Sequence, residues 1–326
     1  MTLRGNLIRA CASLCLFSAF TMQAHAESKS DHEWITLPET NPLAKPAETK
    51  NLIPDMTWAE VAEYLETNDM VIIPIGAIEQ HGPQGPLGTD FLNGTERAKL
   101  VAQYTDVLVA PIMNVGNSPY HLDFPGTISV SPETLQQVYF EAVQSMIGQG
   151  FKRFLLLNAH GGNSATTSYI VDRINQETPG IAVNLGTAVR PFLETDKLAK
   201  RNHFDRHGGV NETSRSLYLQ PNLVDLERAK KTKLHMLPHL RDMVPAIEAG
   251  DDTARLVFLV EALKQESTGK GTDTKDMTDT GVWSEQDLSL ANAEIGRKDT
   301  EVFVNAAVQF IDRWKELRPV GAGPKK

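Results

Sequence analysis

The stretch "EQHGPQGPLGTD", Glu79 to Asp90, places a glutamate, a histidine and an aspartate within twelve residues. Carboxylate and imidazole are the ligands that hold zinc, manganese or iron. Glu79 and His81 are separated by one residue, so in extended chain both project to the same side. Pro83, Gly85, Pro86 and Gly88 allow a sharp reversal before Asp90. Three more polar clusters follow: "NSPYHLDFPGT" with His121 and Asp123, "NAHGGN" with His160, and "HFDRHGGVNETS" with Asp205, His207 and Glu212. Each has an ordinary reading on its own. A lone histidine such as His121, His235 or His239 is more often hydrogen-bonded or at the surface than a ligand, and glycine-rich turns follow many strands. Several such clusters at one end of one sheet are a different matter.

The elements around them predict that placement. "MVIIPIGAI" is a continuous apolar run, as expected of a strand covered on both faces. "TWAEVAEYLE" before it opens a helix, with Thr57 and Glu60 at capping-box spacing. "GTERAKLVAQY" is expected to be helical and "DVLVAPIM" a second strand. "SPETLQQVYFEAVQSMIGQG" is a helix with Ser131 as N-cap and Pro132 at the first helical position. "FKRFLLLN", "NSATTSYIVDRINQE" and "GIAVNLGT" continue as strand, helix and strand. This alternation predicts an α/β fold, a three-layer α/β/α sandwich with a mainly parallel sheet. In such sheets ligands collect at the carboxyl ends of the strands, where the polar clusters fall. Beyond Asp225 the alternation fades. There "DTARLVFLVEALKQE" is expected as an amphipathic helix, "STGKGTDTKDMTDTG" as a flexible loop and "LANAEIGRKDTEVFVNAAVQFIDRWKEL" as a closing helix.

The first 26 residues carry Arg4 and Arg9, a short apolar stretch and Ala24-His25-Ala26, the pattern of a secretory signal peptide. An exported protein, periplasmic or secreted, is expected to begin near Glu27, with a linker or N-terminal arm over 27–51, a metal-dependent domain over 52–318 and a disordered tail over 319–326. Cys11 and Cys15 are the only cysteines and both lie in the leader, so thiolate ligands and disulfides are not expected beyond it. Without Arg4 and Arg9 the 32 basic residues become 30 against 41 acidic, a formal charge of −11. That balance argues against nucleic acid or an anionic membrane as partner.

"PIGAIEQHGPQGPLGTD", "FPGTISVSPETL", "LLLNAHGGN" and "HGGVNETS", in that order, resemble the successive motifs of the creatininase (creatinine amidohydrolase) family, and "TGVWSEQDLSLANAEIGRK" resembles its C-terminal pattern. The resemblance implies the creatininase-like α/β/α fold, two divalent metal ions per chain (zinc or manganese, sometimes iron) and ring-like homo-oligomers, commonly hexamers. By motif position it implies that Glu79 and His81 each bind one metal, that Asp90 bridges them and that His160 completes the first. Creatininase has a glutamate two residues after the histidine of that motif. Here the position is Gly162, and Glu212 is the candidate to replace it. His207 and Glu212 are the catalytic candidates, His207 as proton donor to a leaving nitrogen, with Asp205 to orient it. Two metals about 3.5–4 Å apart can share a hydroxide that attacks an amide carbon while the oxyanion forms beside them.

The substrate is expected to be a small amide: a cyclic amide, a formamide or a short peptide, since the family also includes deformylases and a peptide-trimming enzyme. Creatinine itself fits poorly. The tyrosine beside the motif histidine is Gly161 here, the position four before His207 is His203, and Trp34, Trp58, Trp283 and Trp314 fall outside the site motifs. A non-catalytic metal-binding or interaction protein on the same fold is the alternative.

Overall fold

A capping box starts the first helix of the computed structural model, which describes residues 33–41, 50–113, 115–199, 204–264 and 273–321. Thr57 Oγ1 accepts from the Glu60 N–H, and the Glu60 carboxylate accepts from the Thr57 N–H at 2.7 Å, so α1 (Trp58–Thr67) begins where expected. The chain continues as β1 (Met70–Ile75), α2 (Thr89–Thr105), β2 (Leu108–Val109), α3 (Pro132–Gln149), β3 (Arg153–Asn158), α4 (Ser164–Glu177) and β4 (Ile181–Asn184). Then come α5 (Leu185–Ala188), α6 (Val210–Leu219), α7 (Pro238–Glu248), α8 (Asp252–Glu261), α9 (Thr274–Met277) and α10 (Ala293–Leu317).

The four strands are parallel, in the order β2-β1-β3-β4. Period-two geometry sends alternate β1 residues to opposite faces. Met70 and Ile72 join a core with Leu100 and Val101 of α2 and Val304 and Ile311 of α10. Val71, Ile73 and Ile75 join a second core with Leu135 and Tyr139 of α3 and Ile170 and Ile174 of α4. This is the predicted three-layer sandwich. Each buried isoleucine contributes about 1.5–3 kcal/mol, so β1 is held in register from both sides.

The structure departs from the sequence expectations in identifiable places. β2 is two residues long, because Pro111 has no N–H for the ladder; beyond it only the bridge Ile75–Met113 remains. α2 begins at Thr89, ahead of the expected start at Gly94, so Asp90 stands in its first turn, where the helix dipole favours an acid. The strand in "GIAVNLGT" stops at Asn184, whose side chain accepts from the Thr187 N–H at 3.3 Å and opens α5. In the expected flexible loop "STGKGTDTKDMTDTG", residues 267–272 lie outside the described residues, and the described part contains α9, with Asp273 as its cap. The arm, over residues 33–41, is packed rather than loose: Leu37 is buried and its N–H donates to Glu301 Oε2 on α10 at 2.9 Å. Residues 1–26, the rest of the arm but residues 50 and 51, His203, and residues 322–326 of the tail lie outside the described residues. Among the described residues no helix is long and apolar enough to cross a membrane.

Candidate metal centre

β1 delivers its chain into a loop closed by the Glu79 N–H on Leu87 O at 2.9 Å, which sets Glu79 and His81 opposite the first turn of α2. β3, hydrogen-bonded beside β1 with Ile75 paired to Asn158, delivers His160 to the same end. α6 supplies the fourth segment. Its N-terminus is capped by Asp205, which accepts from the Val210 and Asn211 N–H groups at 2.9 and 2.6 Å. Gly208 turns the chain with φ +62°, a conformation that favours glycine, and donates its N–H to Glu212 Oε2 at 2.8 Å.

All six expected residues converge. His160 Nδ1 stands 3.2 Å from Glu79 Oε1 and 3.0 Å from Asp90 Oδ2. His81 Nε2 stands 3.3 Å from Asp90 Oδ1 and 3.5 Å from Glu212 Oε2. His207 Nδ1 faces Glu79 Oε1 at 3.5 Å and Glu212 Oε2 at 4.0 Å. Glu79, His81, Asp90 and His160 are buried, and Glu212 and His207 partly so. Asp205 serves the helix end and not His207, so its expected orienting role falls to a main-chain carbonyl: His207 Nε2 lies 2.5 Å from Gln80 O.

The residues fit divalent cations. His81 Nε2 and Asp90 Oδ2 are buried with no hydrogen-bond partner, which is costly unless something else binds them. His81 Nδ1 lies 3.0 Å from the Glu79 carbonyl and His160 Nε2 lies 3.0 Å from the Asn117 carbonyl, so each donates one ring N–H to main chain and aims the other nitrogen at the carboxylates. Metal-ligating histidines are held in this way. The electrostatics agree. Burial pushes the His81 and His160 pKa values down, but the carboxylates outweigh it and raise both well above the usual imidazole range. Burial pushes Glu212 up, and His81 outweighs it to hold the carboxyl at about 2. The acid cluster thus demands positive charge, which cations supply as well as protons do. Glu79, His81 and Asp90 form one compatible group of ligand atoms, and His81, His207 and Glu212 another.

Gly162 cannot carry the expected carboxylate. A Cβ there would stand 2.3 Å from Asn117 O and 2.4 Å from His160 Nε2. Glu212 occupies the neighbourhood of His81 instead.

Sequence reasoning missed four contributors. His121, set aside as an ordinary histidine, has Nε2 3.7 Å from Glu79 Oε2 and its ring stacked on His207 at 4.2 Å. Ser118 donates to Glu79 Oε2 at 2.5 Å. Gln80 links His121 to the loop before Trp283. Trp283, distant in sequence, lines the site's cavity of about 320 Å³ together with Tyr120 and Leu259. The one sequence signal was the proximity of Ser118 and His121 in a cluster already noted.

A sequence model of the creatininase family, described as creatinine amidohydrolase, matches residues 54–311. The chain belongs to the creatininase family. Among similar proteins, the 3-dehydro-scyllo-inosose hydrolase of Thermotoga maritima is 30% identical over 197 residues, 55% of this chain and 59% of that protein. Creatinine amidohydrolase of Pseudomonas putida is 29% identical over 53% of this chain and 74% of its own length. A mycofactocin precursor peptide peptidase of Mycobacterium tuberculosis is 26% identical over 81% and 92%. The match thus spans less than two thirds of the first of these relatives. A creatininase crystal structure superposes with a TM-score of 0.62 at 23% identity, covering 83% of this chain and 99% of that one. Manganese and zinc–zinc forms of creatininase match at 0.60, 22% identical over 83% of this chain and 100% of theirs. The fold is creatininase-like, and the relatives named here are all hydrolases.

Proposed function

We propose that this protein hydrolyses a C–N amide-type bond of a small molecule at a centre of two divalent cations, zinc or manganese, held by Glu79, His81, Asp90, His160 and Glu212. The observation that supports this most is the burial of His81 Nε2 and Asp90 Oδ2, without hydrogen-bond partners, inside a ring of opposing ligand atoms. When bound, such cations act as Lewis acids and lower the pKa of water. The chain's own residues do the rest. Ser118 holds Glu79 by a 2.5 Å hydrogen bond, which fixes that carboxylate against His160. His207 donates Nε2–H to Gln80 O, so Nδ1 is the nitrogen free to take a proton and pass it to a leaving amine, with Glu79 and Glu212 flanking it. Burial is the first cause that holds the His207 pKa below the usual value.

The substrate enters a cavity of about 320 Å³ walled by Trp283, Tyr120 and Leu259, enough for a small molecule or the end of a peptide. A cyclic amide, a formamide or a short peptide fits this chemistry. The chain is further proposed to be exported, and to assemble with itself: Leu256, Val257 and Val260 leave an apolar stretch of α8 exposed.

Elemental analysis of protein purified without chelators tests the centre. Two metal ions per chain are expected in wild type and about one in Glu212→Ala. One or none in wild type, even after reconstitution with zinc and manganese, overturns the dinuclear reading. Turnover is then screened with creatinine, an N-formyl amino acid and a short peptide, and with 3-dehydro-scyllo-inosose, which has no C–N bond and whose turnover would overturn the amide reading.

A further inference from the structure

Four imidazoles face the centre, and their hydrogen bonds divide them unequally. His81, His160 and His207 each give one ring N–H to a main-chain carbonyl, which leaves the other nitrogen's lone pair facing carboxylates. His121 is also placed among possible ligands, with Glu79 and His207. Its surroundings, however, are the reverse of the other three.

The key is the amide of Gln80. Its Oε1 accepts from the Gly82 N–H at 2.9 Å, and its Nε2 donates to the Gly281 carbonyl at 2.9 Å. Two main-chain groups therefore fix which end is NH2, because a flipped amide would oppose donor to donor and acceptor to acceptor. The same Nε2 lies 3.0 Å from His121 Nδ1, so its second hydrogen points at that nitrogen. Thr274 Oγ1 lies 2.8 Å from His121 Nδ1 as well and accepts from the Trp283 indole N–H at 3.3 Å; with the Gln80 NH2 already aimed at Nδ1, the Thr274 hydroxyl is compatible with that nitrogen as a second, shared donor. Nδ1 of His121 can only accept. The ring's proton is on Nε2.

A protonated Nε2 has no lone pair for a metal. The nearest carboxylate oxygen, Glu79 Oε2, is 3.7 Å away, beyond hydrogen-bond reach, and already takes the Ser118 hydroxyl. His121 lines the cavity beside Glu79, Asp90 and His207. We propose that His121 is not a ligand but a neutral hydrogen-bond donor, its proton fixed on Nε2 by the Gln80 amide, and that it binds the substrate oxygen where negative charge develops. A neutral imidazole suits that role because it donates without first having to gain a proton, and it stands pre-oriented by its stacking on His207. The role rests on the hydrolytic reading of the centre.

Side-chain nitrogen NMR on the zinc-loaded protein labelled with ¹⁵N-histidine tests it without a substrate. The resonances lost in His121→Ala are expected to show Nε2 protonated and Nδ1 unprotonated, with neither bound to metal. His121→Ala is expected to keep the wild-type metal count and to lower kcat by about 100-fold or more on whichever screened compound is turned over, with KM less affected. Gln80→Glu replaces the donor at Nδ1 by an acceptor and is expected to move the proton to Nδ1, with a similar fall in kcat although the imidazole remains. Should Gln80→Glu fail to fold, the wild-type tautomer still decides. Loss of a metal ion in His121→Ala, a metal-bound or unprotonated Nε2, or an unchanged kcat would overturn the proposal. A wild-type protein that takes up no metal would overturn the hydrolytic reading, and this role with it.

Discussion

At the scale of single residues, the centre depends on side chains that are absent as much as on those present. His160 rests where any Cβ at position 162 would collide with its ring and with Asn117 O. Gly162→Glu, which restores the carboxylate that creatininase has there, is therefore expected to cost roughly 1–3 kcal/mol of stability and to add no metal, checked by urea unfolding and elemental analysis. The candidate ligands were legible in the sequence because a side chain's chemical type survives whatever the fold does: Glu79, His81, Asp90, His160 and Glu212 are acids and imidazoles in tight-turning segments. His121 was not legible as a working residue. Its role depends on an amide orientation set by Gly82 and Gly281, and no local pattern in "NSPYHLDFPGT" encodes that.

At the scale of elements, the strands could be read because apolar runs buried on both faces have no other stable home, as every residue of β1 shows. α6 could not. It opens at Gly209 and runs through Asn211 and Ser214, residues that favour caps and turns over helix interiors. What makes it a helix is tertiary: the Asp205 cap, and a close approach to α10 in which a Cβ at Gly296 would lie 2.1 Å from Ser214 O. Asp205→Ala is accordingly expected to cost about 1 kcal/mol and to weaken metal retention, because Glu212 rides on the first turn of that helix; dialysis against graded chelator would measure it. α1 makes a prediction in pH. Its Thr57 N–H, then Lys50, hold the exposed Glu60 carboxyl at about 2, below the ordinary value of 4.5. A depressed acid stabilises the folded state above its unfolded pKa, and that contribution is lost as pH falls through the folded value. The stability difference between wild type and Glu60→Gln should therefore be constant above about pH 5 and shrink toward pH 2 in urea titrations.

At the scale of the whole molecule, the two ends of the sheet do different work. At the amino end of β3 the buried Arg153 bonds Asp69, donates to the Arg318 carbonyl at 2.9 Å and lies under the Trp314 ring, so it ties the end of α10 to the sheet. Arg153→Ala leaves Asp69 without its cation and is expected to cost roughly 3–5 kcal/mol while the metal count stays unchanged. At the carboxyl end the acids Glu79, Asp90 and Glu212 repel one another without a cation. Stripping metal with a chelator should lower the melting temperature, by the equivalent of about 2.7 kcal/mol when free metal had stood at one hundred times its dissociation constant. At this carboxyl end also lies Gly161, next to the candidate ligand His160 and on the wall of the cavity. A Cβ added there would meet nothing within 4 Å, and its backbone needs no glycine. The mouth of the site is thus bounded on that side by empty room rather than by structure. A single codon change could fill it at almost no cost to folding, so the range of molecules admitted is an evolvable property, one that natural drift or a designer can narrow without disturbing the chemistry beneath.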